Sequence, residues 1–386
     1  MRKKSATVYF VLGEESGDAL GVDLFNALQH NAKNKNLDVQ VVGLAGERLT
    51  KAGVNSLFDI NDISVMGISA VLARLPKIVM RVQQTVADIV KKSPDIVVLI
   101  DSPDFTHAVA KRVRRKLPNV PIIGYVCPSV WAWRPGRAVK MKAYVDHMLT
   151  ILPFEPDALT RLQGPPATYV GHPASQRIRA LRSKPGTLPA QEPPTLLILP
   201  GSRSSEVEKM LPLYGQTLDV LRQRGVKFTA VLPAVARLRE KIEGETAHWS
   251  VRPTIVDAAL NDQTFANSHA ALATSGTVTL ELALHRVPTV AAYRLDRIAR
   301  MFSHLVTVWT SILPNLIADR IVVPEEHNET VIPERLARRL ERLLTNTVDR
   351  KAQLAGFEEV IELMKTKQRP GELAAEVIFN HIDFKK

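Results

Sequence analysis

The sequence predicts an α/β protein built from two Rossmann-like, doubly wound domains. Short β-branched runs alternate with stretches of helical periodicity, the pattern of a mostly parallel sheet. The alternation stops once, at a proline-rich stretch, and then resumes. The 386 residues suffice for two cores at roughly 100–200 residues per domain. Hydrophobic residues make up 45% and charged residues 23%, which excludes wholesale disorder. Two such domains are expected to hold a ligand cleft between them, at the carboxyl ends of their strands.

The first strand is expected at 7–12. The basic start Met1-Arg-Lys-Lys4 mimics a signal peptide, but the apolar run is brief and Glu14 and Glu15 follow directly, so a strand is the better reading. Further strands are expected at 39–44, 96–100, 121–126 and 147–151. Between them Leu20, Leu24, Ala27 and Leu28 repeat at helical spacing, as do Ala108, Val109, Val113 and Leu117. Residues 176–194 read as a linker, because Pro185, Gly186 and Leu188-Pro-Ala-Gln-Glu-Pro-Pro194 make a poor element interior. Strands are then expected at 195–199, 227–232, 254–256, 270–273 and 288–292, with helices at 205–224, 234–243, 278–284 and 298–308. The resulting division is a first domain over 1–175, a second over 195–345 and a helical tail over 346–386.

Lys and Arg number 51 against 39 Asp and Glu, a net charge of +12. This favours an anionic partner: nucleic acid, a phosphorylated substrate or an acidic membrane face. The single Cys127 excludes an intramolecular disulfide framework and a Cys-based zinc cage, and fits a buried thiol in a reducing compartment. No run reaches about 18 apolar residues, so no membrane-spanning helix is expected. There is no Asp-x-Asp and no H-E-x-x-H or similar His cluster, so neither metal nor cofactor is expected.

Several turns carry candidate chemistry. Gly13-Glu-Glu-Ser-Gly-Asp18 follows the first strand and opens a helix, the place where an α/β fold presents backbone N–H groups. It is neither G-x-G-x-x-G nor a Walker loop. Its carboxylates suit sugar hydroxyls, with Ser16 or Asp18 as a helix cap the plainer alternative. Asp101 ends a buried strand and points toward the expected cleft, where it could take a proton from an attacking hydroxyl. Ser102, Pro103 and Asp104 after it also read as an ordinary helix start. In Cys127-Pro-Ser-Val-Trp-Ala-Trp-Arg-Pro-Gly-Arg137, Trp131 and Trp133 beside Arg134 and Arg137 could grip a sugar face and a phosphate, or serve as core anchors. Leu199-Pro-Gly-Ser-Arg203 opens the second domain; Gly201 and Ser202 allow close approach, and Arg203 could pair with a phosphate. Ser275, Gly276 and Thr277 end an apolar strand and start a helix, which suggests a pyrophosphate cradle, with Glu281 one turn on as a ribose ligand. A simple capped helix is the alternative. His172 reads as a turn or cleft-lining residue. Residues 63–81 are amphipathic: Ile68, Val71, Leu72 and Leu75 group apart from Arg74, Lys77 and Arg81. With Pro76 breaking or kinking the run, this fits a pair of short helices on a membrane surface, or a core-facing helix with a solvated basic side.

Taken together, the ordered motifs Gly13-Glu-Glu-Ser-Gly-Asp18, Val65-Met-Gly67, Asp101-Ser-Pro-Asp-Phe105, Pro128-Ser-Val-Trp-Ala-Trp-Arg134, Leu152-Pro-Phe-Glu155, Val170-Gly-His172, Leu199-Pro-Gly-Ser-Arg203, Ser275-Gly-Thr277 and Leu313-Pro-Asn315 resemble the lipid-A-disaccharide synthase family. The resemblance covers about residues 7–320. It implies a GT-B glycosyltransferase joining UDP-2,3-diacylglucosamine to 2,3-diacylglucosamine 1-phosphate, with a β-1,6 linkage formed by inversion and UDP released. It implies work without a metal at the cytoplasmic face of the inner membrane, with the bilayer surface as partner, no nucleic acid, and a homodimer as one possible assembly. It points to Asp101 as general base, to Arg203, Ser275, Gly276, Thr277 and Glu281 on the UDP side, and to Glu15 and Asn315 in the cleft. Two other readings compete: a related GT-B enzyme such as a UDP-GlcNAc epimerase, and a basic RNA-binding protein.

Overall fold

The computed structural model describes residues 4–64, 68–180, 192–295 and 305–383, with side chains except at 68–73 and 179–180. The chain forms two compact units. One comprises Met1–Pro173 with Thr366–Lys386, the other Ala174–Lys365.

The first unit holds six parallel strands: β1 (Lys4–Leu12), β2 (Leu37–Gly43), β3 (Ile96–Ile100), β4 (Ile122–Tyr125), β5 (His147–Thr150) and β6 (Ala167–Tyr169), in the spatial order β2-β1-β3-β4-β5-β6. Every residue of β3 and β4 is buried, as expected for strands covered by helices on both faces. The helices are α1 (Glu15–Asn34), α2 (Glu47–Lys51), α3 (Ile68–Lys92), α4 (Pro103–Lys116), α5 (Gly136–Met141), α6 (Glu155–Arg161) and, leading into the second unit, α7 (Pro173–Ala180).

The second unit repeats the plan with β7 (Thr195–Leu199), α8 (Ser204–Gln223), β8 (Thr229–Ala234), α9 (Ala236–Thr246), β9 (Thr254–Asp257), α10 (Asn261–Ala266), β10 (Ala270–Thr274), α11 (Val278–Leu284), β11 (Thr289–Tyr293), α12 (Leu313–Ala318), β12 (Glu325–His327), α13 (Pro333–Leu344) and α14 (Val348–Leu363). Its parallel sheet runs β12-β11-β10-β7-β8-β9. In each sheet the chain winds outward in both directions from a central pair, β1/β3 in the first and β7/β10 in the second. At such a switch point the turns diverge and leave a crevice at the strand carboxyl ends.

Three expectations need correction, and a fourth falls mostly outside the described residues. The linker expected over 176–194 starts inside α7, and 181–191 lie outside the described residues. The helix expected at 298–308 lies mostly outside them too. Residues 68–92 form one helix running through Pro76, not two short ones; Pro76 is exposed, and the half after it is anchored in the core by Val82, Val86 and Ile89. The tail is not one appendage. Its first helix, α14, belongs to the second unit, and its last, α15 (Pro370–Asn380), returns to the first, because Ala374, Ala375, Ile378 and Phe379 complete that core. Strands β6 and β12 were not expected: each has three residues, too few for a period to show.

Candidate active site

Several of the candidate residues stand in the turns at the two switch points. In the first unit, β1 ends at Leu12 and β3 at Ile100, adjacent strands whose ends pair Leu12 with Ile100. The two turns that follow touch. A Cβ on Gly13 would stand 2.7 Å from Ser102 Oγ, and one on Gly17 would stand 3.1 Å from the Ile100 carbonyl oxygen. Ser16 Oγ donates to Asp101 Oδ2 at 2.7 Å, and Ser102 N donates to Asp101 Oδ1 at 2.8 Å. Asp101 and Ser102 both lie in the left-handed region, at φ +55° and +44°, a conformation that costs roughly 1–2 kcal/mol per non-glycine residue. Hydrogen bonds hold it: Asp101 N donates to the Tyr125 carbonyl at 2.9 Å, and Thr106 Oγ1 donates to the Asp101 carbonyl at 3.0 Å. Two strained residues in succession at a strand end mark a site where geometry is kept at the expense of stability.

Of the paired glutamates, Glu14 is the one beside this carboxylate. Burial raises its carboxyl above the ordinary value, and the charge of Asp101 adds to that, against a hydrogen bond from Ser102. Glu15 is exposed in the first turn of α1. Sequence reasoning singled out Glu15 alone; an adjacent pair at a helix start sends one side chain toward the strand end and the other outward. Asp18 is buried and acts at a distance from its own helix. It accepts from Gly46 N (2.8 Å), Arg48 N (2.8 Å) and Leu49 N (3.2 Å), closing the start of α2.

The two tryptophans differ in burial. Trp131 is an anchor: its Nε1 donates to Glu155 Oε1 at 3.0 Å, and its ring meets Phe154 edge-on at 4.9 Å. Trp133 is exposed, with the Arg134 guanidinium stacked 4.2 Å from its ring centre. Arg137 reaches Asp104 at 3.0 Å. His172 is half-buried after Gly171, whose φ is +98°. Cys127 is buried, and burial pushes its thiol well up, which makes it inert rather than nucleophilic.

In the second unit the turns after β7 and β10 occupy the switch point. Gly201 has φ +110°, and a Cβ there would collide with Glu206 Oε2 at 2.5 Å. Glu206 Oε2 accepts from Ser202 N (3.0 Å) and Arg203 N (3.2 Å), while Arg203 Nη1 pairs with Glu206 Oε1 at 2.7 Å. Helix α9 adds two cations that no local pattern showed: Arg237 Nη2 donates to the Ser202 carbonyl at 2.6 Å, and Lys241 Nζ to Ser204 Oγ at 3.3 Å. After β10, Ser275 Oγ lies 2.8 Å from Ser311 Oγ. The Ser311 hydroxyl donates to Glu325 Oε2 at 3.0 Å, so its one proton is used and Ser275 is the donor to it. The N–H groups of Gly276 and Thr277 have no acceptor among the described residues. Nothing lies within 4 Å of where a Cβ on Gly276 would stand. Glu281 is half-buried, 3.4 Å from Arg177 Nη2; burial raises its carboxyl, with Arg177 opposing and Asp262 adding to the rise.

Asn315, expected in the cleft, is instead a buried clamp. Its Oδ1 accepts from Val322 N and Val323 N, both at 2.8 Å, and its Nδ2 donates to the Val323 carbonyl at 2.9 Å and Thr310 Oγ1 at 3.3 Å. The amide is consumed in positioning the chain after α12 and has nothing left for a substrate.

Residues 63–81 keep an apolar face, carried among the described side chains by Leu75, Val79 and Met80, all exposed. The side chains of Ile68, Val71 and Leu72 lie outside the described residues. The basic side is not free: Lys77 Nζ reaches Asp62 Oδ1 at 2.5 Å, Arg81 Nε reaches Asp62 Oδ2 at 3.0 Å, and Arg74 Nη1 donates to the Asn61 carbonyl at 3.3 Å. No helix among the described residues is long and apolar enough to cross a membrane. A separate cavity of about 1120 Å3 in the second unit is lined by arginines of α13 and their carboxylate partners, and shares no residue with the turns above.

Comparison with known proteins gives a consistent picture. The family model described as lipid-A-disaccharide synthetase matches residues 8–378. A lipid-A-disaccharide synthase of Rhodopseudomonas palustris is 44% identical over 379 residues, covering 97% of this chain and 96% of that protein. One of Nitrobacter winogradskyi is 43% identical over 381 residues, covering 97% and 95%. Among solved structures, MurG of Acinetobacter baumannii aligns at TM-score 0.57 and 14% identity over 97% of this chain and 99% of that one. A UDP-N-acetylglucosamine 2-epimerase aligns at 0.59 and 15% over 98% and 97%. The structural likenesses establish the GT-B fold, which transferases and epimerases share. The sequence matches separate these possibilities: the chain belongs to the lipid-A-disaccharide synthetase family, glycosyltransferases of lipid A biosynthesis.

Proposed function

We propose that the protein joins UDP-2,3-diacylglucosamine to 2,3-diacylglucosamine 1-phosphate, forming a β-1,6-linked disaccharide 1-phosphate with inversion and releasing UDP. The observation that carries this reading is the Asp101 carboxylate, held in a strained turn by Ser16 at the first switch point. It is assigned as the base that takes the proton from the acceptor hydroxyl as that oxygen attacks the anomeric carbon. Gly13 lets the turn close on Ser102, and Glu14 and Glu15 with His172 are assigned to the acceptor side. Trp133 and Arg134 are assigned to its sugar face and phosphate. The second switch point is assigned to the donor. The open N–H groups of Gly276 and Thr277 suit a diphosphate, Glu281 the ribose hydroxyls, and Arg203, with Gly201 and Ser202 shaping its turn, the charge that gathers on departing UDP. We place the enzyme on the cytoplasmic face of the inner membrane, held by the apolar face of α3; a homodimer is compatible with this reading.

The test is incubation of the purified protein with both lipids, following UDP and disaccharide together. Asp101→Asn should retain UDP affinity and lose turnover by about 10²–10⁴-fold. Wild-type turnover in that variant, or an equal loss in Glu14→Gln alone, would move the base elsewhere.

A further inference from the structure

The segment Leu305-Val-Thr-Val-Trp-Thr310 is apolar, yet Leu305, Val306 and Trp309 are 45%, 53% and 52% exposed. Single exposed apolar residues are ordinary, but a group of three large ones in five positions marks a surface made for an apolar partner. What this segment joins names the partner. Thr310 is buried and accepts from Ile312 N at 3.2 Å. Ser311 is fixed by Glu325, which accepts from both its N (3.3 Å) and its Oγ (3.0 Å). The same Ser311 hydroxyl lies 2.8 Å from Ser275 in the turn assigned to the donor diphosphate. The apolar group is therefore tethered within a few residues of that turn, and within the same unit.

We propose that Leu305, Val306 and Trp309 bind the acyl chains of the nucleotide-activated donor and set its chain-length preference. This rests on the donor-site reading above. A donor with a diphosphate at Ser275, Gly276 and Thr277 and two acyl chains on its sugar needs an apolar wall next to a polar cradle. The Ser311–Ser275 hydrogen bond ties the segment that carries the wall to the turn that carries the cradle. Trp309 adds a rigid, flat surface with little rotamer freedom to lose. A methylene moved from water to such a wall is worth about fourfold in binding, enough for a short wall to discriminate chain lengths.

The experiment is steady-state kinetics of the full chain in detergent micelles, with long-chain and short-chain forms of the UDP-diacylglucosamine donor and with UDP as inhibitor. Trp309→Ala and Val306→Ser should each raise KM for the long-chain donor about fifteenfold, the equivalent of lost contact with two methylenes. KM for the short-chain donor and inhibition by UDP should stay within about twofold, and Trp309→Phe should keep the long-chain preference. An equal rise for both donors, or none, overturns the proposal. So does a Trp309→Ala variant that loses vesicle binding while keeping its chain-length preference in micelles, since the segment would then touch the bilayer. Unchanged UDP inhibition in Glu281→Ala would overturn the donor-site reading itself and this assignment with it.

Discussion

Glu155 shows how a single buried group couples a candidate site to pH. It is 2% exposed and accepts from Trp131 Nε1, Ile151 N at 3.1 Å and Leu152 N at 2.9 Å. It thereby pins the segment that carries Trp133 and Arg134. Burial pushes its carboxyl up to about 7, against those hydrogen bonds. The folded state therefore holds the proton more tightly than the unfolded chain, where a glutamate titrates near about 4.3. The resulting stability is fully present below the unfolded value and is lost as pH rises through about 7. Denaturant unfolding should show the wild type losing on the order of 3–4 kcal/mol relative to Glu155→Gln across that window. Parallel pH profiles for the two proteins would mean that Glu155 stays ionised. Asp18 makes a second case, resting on hydrogen bonds alone. Asp18→Ala would leave the three N–H groups at the start of α2 without an acceptor, two of those contacts being fully buried, and should cost about 1–3 kcal/mol. An unchanged unfolding midpoint would show that α2 finds another cap.

At the scale of elements, α3 carries the proposed membrane contact. Its later half packs into the core through Val82, Val86 and Ile89, while Leu75, Val79 and Met80 remain outside. Lys77 and Arg81 are drawn to Asp62 and hold its carboxyl below the ordinary value. Attachment to vesicles should therefore depend more on apolar contact than on the three free cations that periodicity alone suggests. Replacing Leu75, Val79 and Met80 together by Ser or Gln should abolish co-sedimentation with anionic vesicles and leave UDP affinity unchanged. High salt should weaken the wild type only modestly, because Asp62 already neutralises part of the charge. Equal sedimentation of wild type and triple variant would remove this face from the membrane reading.

Across the whole molecule, the chain end is structural to a unit that begins at its start. Helix α15 lies on α1 so closely that a Cβ on Gly371 would stand 2.7 Å from Asp23 Oδ2. Ile378 and Phe379 are buried in the first core, with Lys35 Nζ 5.3 Å from the Phe379 ring centre. Ending the chain at Lys365 should cost several kcal/mol, since burying one such side chain is worth about 1.5–3 kcal/mol. Calorimetry should then show the first unit melting well before the second. Coincident melting at the wild-type temperature would show that α15 is dispensable.

Residue pattern alone determined the class of fold and where its strand-to-helix turns fall. The reason is that apolar periodicity and glycine or proline punctuation are local: β3, β7 and β10 are runs of buried residues and β1 ends in one, and Gly13, Gly201 and Gly276 follow β1, β7 and β10 whatever surrounds them. Only the tertiary structure decided which side chains those turns use. Glu14 rather than Glu15 faces Asp101, Arg237 joins Arg203 from another helix, Asn315 turns inward as a clamp, and α15 crosses back to the first core. Each of these outcomes depends on a partner distant in sequence, and a spacing rule carries no information about which distant residue will fill a hydrogen bond or a gap in a core.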